Sequence, residues 1–209
     1  MHMRTAPFIG ISRHRLATDG QGIRTLVAFH GCPLSCKYCL NPSCLDSASD
    51  NILHKTSEEI IKILKKDALY FLATKGGVTF GGGEPLIHAE FILEVIENYS
   101  EHIDVTVETS LNVPRKKIEI LIPYTQTFIV DIKDMNQQTY RSYTGKDNTQ
   151  VKENLEWLIQ NGHADKIICR IPYIPEYNDN LAQEESIKEL RQMGITRFNK
   201  FNYTIREKA

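Results

Sequence analysis

Arg24-Thr25-Leu26-Val27-Ala28-Phe29-His30 runs straight into Gly31-Cys32-Pro33-Leu34-Ser35-Cys36-Lys37-Tyr38-Cys39. The first seven residues are rich in β-formers and bounded by Gly22 and Gly31, which predicts a strand. The second part places three of the chain's five cysteines on one short loop at the strand's end. Three thiolates are one too few for a closed site, because structural zinc takes four protein ligands and ordinary iron–sulfur clusters take four cysteines. A metal centre held here keeps one position open, and an open position admits chemistry. On these residues alone three other readings stand: a zinc site completed by His30, buried structural thiols, or a dithiol redox pair in Cys36-x-x-Cys39.

The strand-then-loop unit recurs along the chain. Ser57 reads as an N-cap, with Glu58 and Glu59 in a first turn and Ile60, Ile61, Leu64, Ala68, Leu69 and Leu72 at helical spacing, so one helix is expected up to Gly76-Gly77. A strand over 78–80 leads to Gly81-Gly82-Gly83-Glu84-Pro85 and a helix carrying Ile92, Val95, Ile96 and Tyr99. Further strands are expected over 103–108, 128–132, 166–171 and 198–203, with helices over 115–121, 151–160 and 183–193 and a loop carrying Tyr140 and Tyr143. Alternating strands and helices imply an α/β fold with a parallel sheet and right-handed crossovers. Six such units, the last without its helix, fall short of the eight that close a full barrel. The expected fold is a partial (β/α)6 TIM-like barrel, its parallel sheet open on one side, in a single domain over 1–209.

Composition narrows the function classes. Hydrophobic residues make up 41% and charged residues 24% of the 209 residues, as in ordinary globular proteins, and the formal net charge of −1 gives no electrostatic case for nucleic acid. No apolar run approaches the ~20 residues that span a bilayer, and no signal-peptide pattern opens the chain, so a cytoplasmic protein without a membrane partner is expected. Five cysteines, clustered and odd in number, favour metal or redox use over a disulfide framework. Met1-His2 reads as an added leader and carries no part of the argument.

In parallel α/β sheets ligands sit at the carboxyl ends of the strands. Five successive expected strand ends carry unusual residues: the cysteine loop, Gly81 to Glu84, Glu108-Thr109, Asp131 with Lys133, and Arg170. Glycines let backbone approach a neighbour closely, and the Glu84 carboxylate is suited to accept a charge-assisted hydrogen bond from an ammonium group. Asp131-Ile132-Lys133 puts two charges on one side of an extended chain. Any one of these charges is ordinarily a solvated ion-pair partner, and their weight is collective.

The Cys-x3-Cys-x2-Cys spacing resembles the signature of radical S-adenosylmethionine (radical SAM) enzymes, in which Cys32, Cys36 and Cys39 would hold a four-iron four-sulfur cluster whose open iron binds the cofactor. Asp19-Gly20-Gln21-Gly22-Ile23-Arg24 before the loop and Leu40-Asn41-Pro42 after it resemble the activating enzymes of glycyl radical enzymes, over about residues 10–179. The resemblance implies that Gly82, Gly83 and Glu84 contact the methionyl amino group, Lys133 the carboxylate, and Arg170 the cofactor, with Tyr38 against the adenine and Asn41 nearby. It also implies a monovalent cation held by Glu108, Thr109 and Asp131. The implied function is reductive cleavage of S-adenosylmethionine to a 5′-deoxyadenosyl radical that takes hydrogen from a glycine of a partner glycyl radical enzyme. Reduced flavodoxin or ferredoxin would supply the electron, and no catalytic residue is expected beyond cluster and cofactor. The open side of a six-unit barrel suits a peptide loop as substrate.

Three departures from the family pattern stand out. Glu176 occupies the place of a glycine after Pro175. The chain stops at Ala209, where longer relatives continue with a Leu-Pro-Tyr-His-like segment, leaving Tyr203 or Thr204 as weak substitutes for a cofactor-binding histidine. Cys44 is not followed by the further cysteines of a ferredoxin-like insert, so one cluster is expected, and Cys169 reads as a small core residue. Two rival functions remain: a small-molecule radical enzyme resembling deazaguanine-carboxylate synthases, which does not call for Asp131-x-Lys133 with Arg170, and a non-enzymatic iron–sulfur or metal-binding module.

Overall fold

The computed structural model describes residues 3–16, 19–45 and 52–203; Met1, His2 and Thr204 lie outside them. In chain order the strands are β1 (Thr5–Leu16), β2 (Ile23–Phe29), β3 (Leu53–Thr56), β4 (Gly77–Gly82), β5 (Asp104–Thr109), β6 (Thr127–Asp131), β7 (Ile167–Tyr173) and β8 (Phe198–Asn202). The helices are α1 (Ser57–Lys65), α2 (Ala68–Thr74), α3 (Ala89–Asn98), α4 (Arg115–Leu121), α5 (Gln137–Thr144), α6 (Thr149–Gln160) and α7 (Asn180–Met193). The sheet order is β3-β1-β2-β4-β5-β6-β7-β8, with parallel pairing of β2 to β4, β4 to β5 and β7 to β8. This is the expected α/β class: a mostly parallel, unclosed sheet, the arrangement of a partial barrel. The six strands read from the sequence are β2 and β4 to β8.

The chain forms two compact units. The first comprises the described residues of Met1–Cys32, Ser43–Glu108 and Pro114–Phe128; the second those of Pro33–Pro42, Thr109–Val113 and Ile129–Ala209.

In the first unit the apparent N-terminal lead is itself sheet. β1 pairs antiparallel with β2 and with β3, and its register shifts twice, between Phe8 and Gly10 and between Ser12 and Arg15. Bulges of this kind break the period-two apolar pattern that marks a strand. Ala6 and Phe8 are the residues of β1 that are fully buried, so little apolar signal survives in the sequence. Phe8, Phe29, Phe80 and Phe91 form the aromatic core, with centroids 4.7 to 6.1 Å apart between Phe29 and each of the others. Arg24 is 1% exposed. Its guanidinium donates to Thr79 Oγ1 (2.8 Å), Asp104 Oδ1 (2.7 Å) and the carbonyls of Gln21, Val78 and Asp104, a full set of partners for a buried cation.

The single helix expected from Ser57 is two helices. Thr56, one residue earlier, is the N-cap: its Oγ1 accepts from Glu59 N–H (3.3 Å), while Glu59 Oε2 accepts from Thr56 N–H (2.8 Å), a reciprocal capping box. α1 stops before Asp67, a fully buried carboxylate that accepts from Arg13 (2.6 Å to Nη2), Thr25 Oγ1 (2.6 Å) and the His14 ring (2.9 Å). Fixing Asp67 on β1 and β2 side chains resets the helix phase. Phe71 is buried while Leu69 and Leu72 are each 80% exposed, contrary to the core positions that unbroken spacing assigns them.

In the second unit the loop expected around Tyr140 and Tyr143 is α5. Asn136 caps it, accepting from Gln138 N–H (2.9 Å) and Thr139 N–H (3.1 Å), and Gly145 at φ +77° ends it. α5 escapes a periodicity reading because its apolar positions are tyrosines among polar residues. α7 begins at Asn180, three residues before the expected start, because Asp179 Oδ1 accepts from Ala182 N–H (2.8 Å). Cys169 is fully buried in β7, as expected, and burial pushes its thiol up to about 12. Among the described residues no helix is long and apolar enough to cross a membrane.

Burial works against the charge of Asp67, but the hydrogen bonds from Arg13 and Thr25 outweigh it and hold the carboxyl below its ordinary value. A lowered folded value means that the stabilisation is fully present above the ordinary aspartate range near about pH 4 and is lost as pH falls through the lowered value. Urea unfolding should therefore show a midpoint that drops on acidification below about pH 4. Asp67→Asn should lower stability by about 3 kcal/mol at neutral pH and flatten that acid dependence.

Candidate functional site

The two units carry different parts of the residues singled out by sequence, and each part is built locally. In the first unit the ends of β2 and β4 are laced together. Gly83 N–H donates to Phe29 O (2.9 Å), Glu84 N–H donates to Gly31 O (2.8 Å), and Gly31 N–H donates to Cys44 O (2.9 Å). A Cβ on Gly82, whose φ is +97°, would lie 2.7 Å from Phe29 N, and one on Gly83 would lie 2.1 Å from Gly31 O. Close backbone approach is what these glycines provide, as expected, but the backbone they approach is the protein's own, at the start of the cysteine loop.

Cys32 follows directly and is half-buried, while Cys44 is fully buried. Glu84 is also fully buried; its Oε1 accepts from Leu86 N–H (3.2 Å), which uses one of the roughly four acceptor positions a carboxylate has. The His88 ring stacks on Phe29 at 5.0 Å, and its Nε2–H donates to His30 O (3.0 Å). Burial lowers the His88 imidazole, and the His30 carbonyl only partly offsets it, so a neutral ring with Nε2 protonated is favoured. Glu108 ends β5 within this unit, half-buried, its Oε2 3.0 Å from where a Cβ on Gly81 would sit.

In the second unit the cysteine loop is pinned from below. Ser35 N–H donates to Thr144 O (2.8 Å) and Lys37 N–H to Tyr143 O (3.1 Å), so the C-terminal end of α5 supplies two carbonyls, and Cys39 N–H closes a turn onto Cys36 O (3.3 Å). Helix ends leave such carbonyls free for partners. Tyr143, Ile174 and Tyr203 are buried under the loop, with Cys36, Tyr38, Tyr177 and Phe201 packed against them. Tyr38 OH donates to Glu176 Oε2 (2.6 Å), while Asn41 is exposed.

The charges at the end of β6 and in the middle of β7 form one network; Arg170, expected at a strand end, is the fourth residue of β7. Asp131 Oδ2 accepts from Lys133 Nζ (3.2 Å) and Oδ1 from Arg170 Nε (2.8 Å), the same-side pairing that period two predicts. Burial opposes ionisation of both partners. Lys133 and Arg170 nevertheless hold the Asp131 carboxyl below its ordinary value, and Asp131 holds the Lys133 ammonium above its own. Lys133 is 8% exposed and has three donors; among the described residues Asp131 is its one hydrogen-bond partner, with the Tyr203 ring 6.0 Å from Nζ. Burial pushes the Cys36 thiol up, and the Lys133 charge acts against that. Thr109 is buried and its Oγ1 accepts from Leu111 N–H (2.9 Å).

The second unit thus carries Cys36, Tyr38, Cys39, Asn41, Thr109, Asp131, Lys133 and Arg170, of which Asp131, Lys133 and Arg170 meet directly, and the first carries Cys32, Gly82, Gly83, Glu84 and Glu108. Among the described residues no three His, Cys, Asp or Glu side chains are gathered to hold a metal ion. Sequence reasoning missed the aromatic bed of Tyr143 and Tyr177. Its members come from separate segments with no shared spacing, so no local signal announces it.

A buried ammonium with two donors to spare, acting on a cysteine of the loop, fits an anionic ligand carried beside thiolates. The model of the Radical SAM superfamily matches residues 26–190. The (2S)-3-sulfopropanediol dehydratase activating enzyme of Klebsiella oxytoca is 30% identical, covering 84% of this chain and 74% of its own length. The pyruvate formate-lyase-activating enzyme of Clostridium pasteurianum is also 30% identical, covering 90% and 85%. In fold the chain is similar to Streptococcus suis SuiB bound to precursor peptide SuiA, at a TM-score of 0.65 and 16% identity, over 88% of this chain; the match spans only 41% of the SuiB chain. Radical SAM enzymes work with a four-iron four-sulfur cluster and S-adenosylmethionine, and the loop chemistry, the match over most of the chain and the two relatives agree on one assignment. The chain belongs to the radical SAM superfamily and, within it, to the activating enzymes of glycyl radical enzymes.

Proposed function

We propose that this protein activates a partner glycyl radical enzyme, with Cys32, Cys36 and Cys39 holding one four-iron four-sulfur cluster and S-adenosylmethionine as cofactor. The observation that carries the reading is Lys133, a buried ammonium that has a single hydrogen-bond partner among the described residues and acts electrostatically on Cys36. When bound, cluster and cofactor supply a 5′-deoxyadenosyl radical after one-electron reduction, the hard chemistry that cofactors rather than side chains carry. Everything else is the work of this chain's own residues. Lys133 would hold the methionyl carboxylate, and Glu84, buried on its own backbone cap, the methionyl ammonium through a charge-assisted bond. Tyr38 and Asn41 would face the adenine, Gly82 and Gly83 would shape the strand end, and Arg170 would contact the cofactor while fixing Asp131. The aromatic bed under the cysteine loop would exclude water from the reacting centre.

Glu108 and Thr109 stand at the carboxyl end of β5 and Asp131 at that of β6, and all three offer oxygen donors of the kind hard cations prefer. We infer a monovalent cation as their ligand. The reading treats residues 1–209 as a single radical SAM domain, the electron donor as reduced flavodoxin or ferredoxin, and the cytoplasm as the working compartment. The relatives named above support the partner class, since each is an activating enzyme for another enzyme.

Anaerobic reconstitution should yield one four-iron cluster per chain. Cys32→Ala, Cys36→Ala or Cys39→Ala should abolish its visible absorbance, whereas Cys44→Ser and Cys169→Ser, at buried positions, should keep it; loss of the cluster from Cys44→Ser would overturn the ligand assignment. Lys133→Ala should retain the cluster yet weaken S-adenosylmethionine binding roughly tenfold to a hundredfold, about 1.5–3 kcal/mol for a hydrogen bond to a charged group. Calorimetric titration reads this directly, and unchanged affinity would place the carboxylate elsewhere. With reductant and cofactor, electron paramagnetic resonance of the partner enzyme should show a glycyl doublet that collapses when the glycine α-hydrogen is replaced by deuterium. Cofactor cleavage without that signal, over every candidate partner, would reject the activating role in favour of a small-molecule substrate.

A further inference from the structure

Glu176 adopts φ +69°, the left-handed region that non-glycine residues enter at a cost. Its backbone belongs to a tightly held bend: Tyr177 N–H and Asn178 N–H both donate to Ile174 O (3.1 and 3.0 Å), and Asn178 Oδ1 accepts from Ile174 N–H (2.6 Å). Asn178 Nδ2 also donates to Pro172 O (3.1 Å), so the bend is fixed to the end of β7. Glycine would occupy this position without strain. The exposed carboxylate has one hydrogen-bond partner among the described residues, the Tyr38 hydroxyl at 2.6 Å. The next residue, Tyr177, meets the Tyr38 ring edge-on at 5.8 Å and 81° and the Tyr143 ring at 5.1 Å. Tyr38 is therefore held at its hydroxyl and on its ring by consecutive residues of one bend, in the middle of the loop that carries Cys36 and Cys39. His14, Lys75 and Leu111 also take positive φ; what sets Glu176 apart is that its side chain reaches the tyrosine of the cysteine loop, and strain kept at such a place points to conformation serving function.

We propose that Glu176 is a positioning residue: its carboxylate clasps the Tyr38 hydroxyl and pre-sets the ring as a platform for the adenine of S-adenosylmethionine. The inference rests on the reading of Tyr38 as the adenine-facing residue. Pre-setting the ring removes the ordering cost that a mobile tyrosine would add to cofactor binding. Glu176 touches neither cofactor nor cluster and acts only through Tyr38.

The test compares Glu176→Gly, Glu176→Gln, Tyr38→Phe and the Tyr38→Phe/Glu176→Gly double variant as reconstituted holoenzymes. Glu176→Gly relieves the backbone and cuts the clasp, so thermal unfolding should occur at an unchanged or higher temperature while the Kd for S-adenosylmethionine rises roughly fivefold to twentyfold. A merely structural role would move both quantities together. Glu176→Gln keeps an oxygen acceptor and should restore the Kd to within about twofold of wild type. In the Tyr38→Phe background the glycine change should have no further effect on Kd, the signature of action through the hydroxyl. Fluorine NMR of 3-fluorotyrosine placed at position 38 should show a narrower, shifted line in Glu176→Gly, independently of cofactor. Wild-type affinity and an unmoved fluorine line in Glu176→Gly would overturn the clasp and leave the parent reading intact. A wild-type holoenzyme that binds no S-adenosylmethionine would overturn both.

Discussion

The first unit depends on one close approach of backbone to backbone, where the chain leaving β2 meets the chain leaving β4. Phe29 O and Gly31 O accept from Gly83 N–H and Glu84 N–H, and a Cβ at either Gly82 or Gly83 would collide with the backbone across from it. This contact sets where Cys32 emerges and buries Glu84 in one stroke, since the same residue whose N–H holds Gly31 turns its carboxylate back onto Leu86 N–H. A glycine run that looks like a ligand cradle is thus first a device for bringing the chain after β4 against the chain after β2, where Gly31 leads to Cys32. Any larger residue at Gly83 would have to displace Gly31 and, with it, the first cysteine.

The second unit solves a different problem, keeping charges ionised where water is scarce. Desolvation opposes the charge on both Asp131 and Lys133, and each remains ionised because the other is there, with Arg170 as a third member. A buried pair of this kind is poor evidence of stability by itself, because apolar replacements of similar volume are often neutral or better. Its retention beside the cysteine loop makes sense if the ammonium's remaining donors serve a ligand. The tyrosines that roof this region belong to the same logic: burial pushes the phenols of Tyr143 and Tyr203 upward, so they stay neutral and act as packing surfaces rather than competing charges.

Membership in the activating-enzyme branch of the radical SAM superfamily ties these local devices to one task. Such a protein must hold a reactive centre, order a flexible cofactor on it and shield both from solvent. Glu84 in the first unit, and Lys133 and the doubly held Tyr38 in the second, are each fixed by neighbours. At Glu176 the backbone takes the left-handed conformation that favours glycine, while the side chain is a carboxylate that reaches Tyr38.

Sequence alone determined the features that follow from spacing: the three-cysteine loop after a strand, the strand–helix alternation, and the placement of Glu84, Glu108 and Asp131 at strand ends; Arg170, expected at a strand end, lies mid-strand because β7 runs on to Tyr173 through its pairing with β8. Period two put Asp131 and Lys133 on one side of the chain, and the structure joins them there at 3.2 Å. Tertiary structure alone decided what depends on partners distant in sequence. β1 and β3 are strands through hydrogen bonds to β2 and to each other, which need no apolar rhythm, so the bulged β1 left no pattern to read. One helix became two because Asp67 is held by Arg13 and Thr25, more than forty positions upstream, and that pull outweighs an unbroken helical spacing. The aromatic bed under Tyr38 draws on residues from three separate segments, and the left-handed turn at Glu176 is imposed by the hydrogen bonds of Ile174 and Asn178. Local periodicity encodes which residues share a face, but only long-range packing selects which faces meet.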